Sequence, residues 1–458
     1  MRRLLLLPAL LCLLATGCVH RNTPGDWQAL VLPRTELNPE ANALVRWRPL
    51  FPALFPENNT IGEILVRVSS PLETPAPSDA TALAPWFALL APTFNGLSLR
   101  NDETLQLPPI TGPETPFPDH QALRQLAAVR LVQLKTAWLD GRHEEAINLV
   151  VENLRLARAF LNAQEELVPL IQATAVWQLS LDGVYWLARQ DNLSPEFASR
   201  LQAELLRDTD LAPRALTQAF RGEFTFFTRL VLERLPKTHD VNLLLSSIGS
   251  LGMAEPEAPQ PDEPRLATPA RDPLDREATL QFAADDISGW INAFSSGRYP
   301  RDFSSRHTQA RLQTLATEIR PFLSYATEDI PPTPERIAAA DTIVATVKNP
   351  VGKLFLVITT AQWEPVVIHV FRREAQRSAL VGLLAWRRLG RTATWETLIA
   401  AGVLSASPAD PFSSGSLMFD LDPLNPRIWS VGINGLDDGG AGSGENIGYP
   451  LDLTWPAK

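Results

Sequence analysis

Residues 434 to 446, NGLDDGGAGSGEN, set Asp437, Asp438 and Glu445 among five glycines near the C-terminus. Acidic side chains interleaved with glycine suit a hard cation. Calcium takes roughly six to eight oxygens in flexible geometry, and Asp437, Asp438, Glu445 and the Asn446 amide can supply several of them, with carbonyls that glycine lets turn inward. The spacing is not that of an EF-hand. GGAGSG resembles one copy of the calcium-binding nonapeptide, with Gly444 where its aspartate belongs. No Gly-Lys-Ser/Thr is present to make a nucleotide phosphate loop. A structural calcium site at Asp437, Asp438, Glu445 and Asn446 stands against a solvated acidic loop, and both readings stay open here.

Elsewhere the reactive residue types are scattered. The histidines, His20, His120, His143, His239, His307 and His369, show no metal-ligand spacing such as HExxH. There is no Gly-x-Ser-x-Gly elbow. Asp285 and Asp286, and the RGEF of residues 221 to 224, are the nearest thing to acid–base groups, but charged residues on helices usually belong to a solvated face. Glu223, on a largely apolar helical stretch, stands out from that pattern, and its expected role is a polar anchor paired with Arg221 or Arg229. Twelve tryptophans spread along helical stripes read as core. No catalytic residue is assigned, and the expected activity is binding, not chemistry.

Cys18 carries the one covalent chemistry the sequence points to. MRRLLLLPALLCLLATGC has two arginines, an apolar run from Leu4 to Leu14 and small residues before the cysteine, the pattern of a secretory signal too short to span a bilayer comfortably. Ala15, Thr16, Gly17 and Cys18 resemble the lipobox of bacterial lipoproteins, with Ala15 where leucine is commoner. That resemblance implies acylation of Cys18 and a mature chain anchored by lipid, each buried methylene contributing about 0.8 kcal/mol. Val19 stands where the inner-membrane retention signal would place aspartate, so the resemblance points to the outer membrane, facing the periplasm. Cys12 leaves with the leader, and the mature chain has no disulfide to draw on. Loss of Arg2 and Arg3 takes the formal charge from −10 to −12, which argues against nucleic acid as a partner and leaves the lipid to do the anchoring. The expected partners are the membrane, through the lipid, and envelope or secretion proteins.

The elements that must carry these residues are mostly helices. After the leader (1–17), residues 18–118 read as a tether and a proline-rich region with short helices at 38–55 and 79–94. Residues 119–250 read as a helical domain: an apolar stripe from Leu123 to Ala137, a break at Gly141, and further helices at 143–161, 168–190, from Ser194, and 213–235. AWLDGRHEEAINLVVENL resembles the junction inside a tetratricopeptide repeat through Gly141, Ala146 and Ile147, but no second copy follows at a period of about 34, and an αα-hairpin bundle is preferred. Residues 251–273, rich in proline and acid, read as an exposed linker. A second helical region (274–390) has helices at 274–295, 306–325, 333–347 and 365–389, with β-branched residues crowding the stretch after Lys353 as they would in a strand. Lys353, Glu364, Pro365 and His369 argue against a membrane span there.

Residues 391–458 read as a small α+β tail. A helix at 394–404 comes first, and then Leu417–Leu421 and Arg427–Val431, separated by DPLNP, give a hairpin signal. This tail resembles the periplasmic C-terminal region of the major pseudopilin of type II secretion, through Asp410 and Pro411, then Trp429, Ser430, Val431 and Gly432, then the glycine-rich acidic loop. The family loop binds calcium, and the resemblance implies the same for Asp437 onward, although Glu445 is followed by Asn446 and Asn434 replaces a common aspartate. Three functions follow in order of support: a lipid-anchored periplasmic scaffold or protein-binding lipoprotein; an accessory protein of a type II secretion-like system with a calcium-stabilised loop; and, last, an envelope-polymer hydrolase using Glu223 and a second carboxylate. The expected fold is mainly α, a helical-hairpin bundle or short tetratricopeptide-like array with a small α+β C-terminal unit.

Overall fold

In the computed structural model, which describes residues 26–33, 40–100, 103–105, 118–164, 166–207, 209–249, 265–303, 309–328, 333–360, 363–389, 394–420, 427–437, 439 and 453–456, helices dominate and a small antiparallel sheet lies near the C-terminus. Helices α1 (Ala43–Trp47), α2 (Asn59–Val68) and α3 (Pro77–Gly96) lead into α4 (Pro118–Leu139), α5 (His143–Asn162), α6 (Leu167–Ala188), α7 (Pro195–Leu205), α8 (Leu211–Arg229) and α9 (Val241–Gly249). Then come α10 (Arg276–Phe294), α11 (Gln309–Glu318), α12 (Arg320–Thr327), α13 (Pro334–Thr346), α14 (Pro350–Thr360), α15 (Trp363–Arg388) and α16 (Trp395–Ala400). Strands β1 (Met418–Asp420), β2 (Arg427–Ser430) and β3 (Leu453–Pro456) close the order.

Local chemistry sets many of the boundaries. Gly141, at φ 78°, takes the left-handed conformation that ends α4, and the Arg142 amide reaches back to the Ala137 carbonyl at 2.8 Å. Ser194 caps α7 by accepting from the Phe197 amide, with Pro195 in the first turn. Asn58, Asp275 and Thr333 do the same for α2, α10 and α13. A proline in the first turn of α12, at Pro321, coincides with the break that divides the expected helix 306–325 into α11 and α12.

Packing follows from α6. From Ala173 to Ala188 it is buried on nearly every side, so no face is left for solvent. A helix apolar all round must be covered all round. The α4–α5 hairpin covers one side, α8 another, and α15, which arrives from almost two hundred residues away in sequence, lies against both α6 and α7. The run Pro350–Arg388 contains a window apolar enough to cross a membrane by length and composition, and 60% of that window is buried in the protein. One hydrophobic core runs from Trp27 through α4–α8 and α10–α15 to Val431, while α2, α3 and α4 share a smaller cluster around Leu65, Leu83, Trp86 and Val132.

In the sheet, β2 is central. Phe419 pairs with Ile428 and Met418 with Trp429 on one side, and Ile428 pairs with Trp455 on the other, both ladders antiparallel. The hairpin was legible, but β3 was not, because LTWP is too short to alternate. The β-branched stretch after Lys353 forms helix α14, its apolar side covered by α10 and α11. Tertiary burial outweighs strand propensity there.

Two segments poor in periodicity are joined to the fold. From Asp26 onward the region read as tether and proline-rich segment is attached to the helical body: Trp27 is buried and its indole donates to Glu277 at 2.9 Å, while the Leu32 amide donates to Thr225 at 2.8 Å. Helix α2 was not foreseen in that region at all. Most of residues 265–273 is exposed, but the segment is attached to the fold: Leu266 is buried and held by the Asn242 side chain through bonds of 3.0 and 2.9 Å, and the Ala267 amide donates to Asp341 at 2.8 Å. One buried leucine whose backbone amide and carbonyl both bond to a single side chain is enough to attach a segment whose overall composition is poor in core residues. The rest of 251–273, up to 264, lies outside the described residues.

Gly183 lets three helices pack closely. A Cβ there would stand 3.1 Å from Leu134, 3.2 Å from Val150 and 3.4 Å from Leu131, so α4 and α5 leave little room against α6. Gly183→Val is expected to cost about 1–3 kcal/mol by overpacking, read as a lower urea midpoint with an unchanged slope. A variant as stable as the wild type would show that the helices do not meet so closely.

Candidate functional site

The C-terminal unit is the part of the chain where sequence motifs and geometry converge. Asp410, in the Asp-Pro step, is buried and accepts three bonds: the Phe412 amide at 2.9 Å and the Ser430 hydroxyl at 2.7 Å on Oδ1, and the Val431 amide at 3.0 Å on Oδ2. Ser430 Oγ accepts in turn from the Gly432 amide. The Asp410-Pro411 element and the Trp429-Ser430-Val431-Gly432 element, separated by some twenty residues, are therefore one hydrogen-bonded unit.

Arg301 ties that unit to the helical body. Its guanidinium donates to the carbonyls of Phe412 at 2.8 Å, Ile433 at 2.8 Å and Gly432 at 3.1 Å, while the Tyr299 amide donates to Pro411 at 2.7 Å. Gly435, at φ 69°, packs so close to this guanidinium that any side chain would collide with it. The first glycine of the acidic loop is thus a packing requirement. Trp395 fastens the other side, donating to the Leu417 carbonyl at 3.0 Å and stacking on Phe419 at 4.5 Å, and Gly382 in α15 makes room for its ring.

Of the residues named for calcium, Asp437 is described, and Asp438, Glu445 and Asn446 lie outside the described residues, as does Cys18. Asp437 Oδ1 accepts from the Trp429 indole at 3.0 Å and from the Gly439 amide at 3.0 Å, and the Arg427 guanidinium lies 5.3 Å from the centre of the Trp429 ring. One carboxylate oxygen is therefore engaged in pinning the loop to β2. Among the described residues no group of three His, Cys, Asp or Glu side chains gathers to hold a metal. The described part of the loop does not by itself fit an ion that requires roughly six oxygens or more.

Glu223 sits on α8, half-buried by surface exposure but enclosed by protein, and its partner is the backbone amide of Leu167, at 3.4 Å, in the first turn of α6. It caps another helix instead of pairing with an arginine: Arg221 donates to the Ala29 carbonyl. Burial pushes the Glu223 carboxyl above the usual carboxylate range, partly offset by the Leu167 amide. The Asp285–Asp286 pair is split by the helix, Asp285 accepting from Gln281 at the surface and Asp286 buried beside Arg311 at 3.6 Å. His369 is pushed down to about 4 by burial, with Arg373 and Arg372 adding to the effect, so its imidazole is neutral at pH 7.

Sequence reasoning missed a buried charge cluster among α4, α6 and α15. Lys135, with no exposed surface, donates to the carbonyls of Val68, Ser70 and Glu73 at 2.7, 2.7 and 2.8 Å, and burial pushes its ammonium down to about 8. Asp182, the one acid of α6, accepts from Gln376 at 2.9 Å, and Arg373 donates to the same Gln376 at 2.8 Å. Desolvation raises the Asp182 carboxyl against the pull of Gln376, Arg373 and Lys135. Glu374 and Arg377 form a second buried pair, Arg377 also donating to the Leu205 carbonyl at the end of α7. The available signal was a lone ionisable residue inside an otherwise apolar stripe, at Lys135 and at Asp182.

Asp410→Ala leaves two buried amides and a hydroxyl without their acceptor. The expected loss is about 3 kcal/mol, from roughly 1 kcal/mol or more for each abandoned donor, with protease cleaving the chain after residue 400 before the helical body is cut; a variant digested like the wild type would count against the coupling. For Glu223, the raised carboxyl means that its contribution is fully present below the ordinary value of about 4 and is lost as pH rises through the raised value. Glu223→Gln keeps an acceptor for Leu167 without a buried charge, so it is expected to be at least as stable as the wild type at pH 7, with that advantage shrinking below about pH 4. Urea midpoints at the two pH values check this.

No protein-family model, curated protein or solved structure matches this chain.

Proposed function

We propose that the protein is a lipoprotein of the cell envelope, acylated at Cys18 and facing the periplasm from the outer membrane, that serves as a scaffold for protein partners. The reading rests on Cys18 behind its apolar leader, and on how soon afterward the chain becomes part of the fold. Trp27 is the first described side chain in the core, nine residues beyond Cys18. Nine extended residues span at most about 30 Å, so an acyl chain at Cys18 keeps this part of the body close to the bilayer.

The surface of α3 supports the scaffold half of the reading. Its outward residues include Ala82, Ala84, Pro85, Ala88, Leu89, Ala91 and Pro92, with Leu89 77% exposed. Its one charged residue, Asp79, is buried and paired with Arg67 at 2.7 Å. On a protein of formal charge −10, a helix face with no charge at all suits a neutral protein partner.

The experiment is metabolic labelling with an alkyne fatty acid, combined with detergent phase partitioning and photo-crosslinking. The wild type is expected to take up label and enter the detergent phase, and Cys18→Ala to do neither. A photoreactive residue at Leu89 is expected to give a discrete crosslinked band in intact cells, and one at the exposed Ala345 on α13 none. Unlabelled wild type in the aqueous phase would overturn the anchor, and equal crosslinking at both positions would overturn the partner face.

A further inference from the structure

A cavity of about 630 Å³ opens where the start of α10, the end of α13 and the start of α14 meet, with α11 as its far wall. Its floor is apolar: Phe282, Leu315, Val344 and Leu356, of which the last three are buried. The Arg311 guanidinium stacks on the Phe282 ring, 4.1 Å from its centre. The size falls within the range of small-molecule sites, roughly 300–1,000 Å³.

The rim carries three cations, Arg271, Lys348 and Lys353, and two acids, Asp272 and Asp275. The acids have structural work to do. Asp272 accepts from the Leu274 amide at 3.0 Å, and Asp275 caps α10 by accepting from the Ala278 amide at 3.0 Å. Lys353 pairs with Glu318. Arg271 and Lys348 are exposed and make no ion pair among the described residues.

The rim is also held in a strained shape. Asn349 is the one non-glycine residue with positive φ among the described residues, at 53°. Its side chain accepts from the Asp275 amide and donates to Thr279, both at 2.9 Å, which locks the turn before α14 onto the start of α10. The Val351 amide donates to the Pro273 carbonyl at 3.0 Å, and Gly352 leaves no room for a Cβ against Thr279 and Asn349. A strained residue persists where the surroundings over-determine it, and such residues cluster at ligand sites.

We infer that this cavity binds a single-chain anionic amphiphile, its hydrocarbon chain on the Phe282–Leu356 floor and its carboxylate or phosphate head between Arg271 and Lys348. An apolar floor excludes a fully polar ligand, because its polar groups would be buried without partners. The two uncommitted cations select the sign of the head group, and Arg271 offers a planar fork suited to either oxyanion.

The test uses the full chain as the unlipidated Cys18→Ala form, which needs no detergent, so failure of the anchor reading leaves it untouched. Calorimetric titration with dodecanoate, dodecyl phosphate and dodecyltrimethylammonium, each below its micelle concentration, compares head groups on one chain length. At least one anion is expected to bind at micromolar concentration, and the ammonium at least tenfold more weakly; which anion binds tighter identifies the head. Val344→Trp, which fills the floor, is expected to abolish binding, and the double variant Arg271→Glu, Lys348→Glu to weaken the anion at least tenfold. If Val344→Trp does not fold by circular dichroism, Leu315→Phe takes its place. No binding of either anion, equal binding of the ammonium, or undiminished binding by a folded floor-filling variant would overturn the assignment.

Discussion

A helix without a polar face sets the terms for the rest of this structure. Helix α6 is buried from Ala173 to Ala188 on nearly all sides, and it carries one acid, Asp182, at 4% exposure. Every side of it needs an apolar neighbour, and the acid needs a polar one. The α4–α5 hairpin and α8 supply local cover, but the remaining side is filled by α15. That helix brings Gln376 for Asp182 and Arg373 behind it, so the long-range contact that completes the core also satisfies its most costly group. Gly183, next to Asp182, lets α4 and α5 approach at the same level of the helix.

A second constraint comes from helix ends. The last carbonyls of each helix have no partner of their own, and a buried end must find one. In this chain the partners are repeatedly basic side chains from another element. Lys135 collects three carbonyls after α2, Arg276 collects Val231, Leu235 and Pro236 after α8, Arg377 takes Leu205 at the end of α7, and Arg130 takes Leu97 after α3. A cation at a helix C-terminus also meets the negative end of the dipole. Each such bond ties two elements together by non-covalent means. Lys135 shows the cost as well, since burial lowers its affinity for the proton while three carbonyls hold the ammonium in place.

Helix existence was legible wherever apolar periodicity was long and a cap or breaker marked its ends. Gly141, Ser194 with Pro195, and the hairpin on either side of DPLNP all did what their local chemistry dictates. What escaped was fixed by distant partners. The segment 26–33 has no periodicity to betray it, and it is held through Trp27 to Glu277 and Leu32 to Thr225, partners in the middle of the chain. Leu266 in a proline-rich stretch is held by Asn242. Strand β3 exists because β2 has a second edge to fill. In the C-terminal unit the residues of the two motifs were visible in sequence, but their union through Asp410 was not, because a carboxylate bonding to backbone amides leaves no trace in residue type. Glu223 was singled out for the right reason, an acid on an apolar helix, and given the wrong partner for the same cause.

The difference between committed and uncommitted charge separates structure from opportunity in this molecule. In the interior, Asp182, Glu374, Arg377 and Lys135 are each bound to a specific polar group, and removing one would leave its partner buried and unpaired. In the C-terminal unit, Asp410, Arg301 and Asp437 spend their bonds on backbone groups, the Ser430 hydroxyl and the Trp429 indole, so the start of the acidic loop is positioned by the fold before any ligand is considered. At the rim beside α10 and α14 the acids are engaged by backbone amides while Arg271 and Lys348 stay exposed, above a floor of buried aliphatic side chains. Solvent stabilises those two cations at almost no cost to the fold. Their charges are therefore available to a ligand in a way that the buried ones are not, and the Asn349 turn beside Lys348 is locked onto the start of α10 through the Asp275 amide and Thr279.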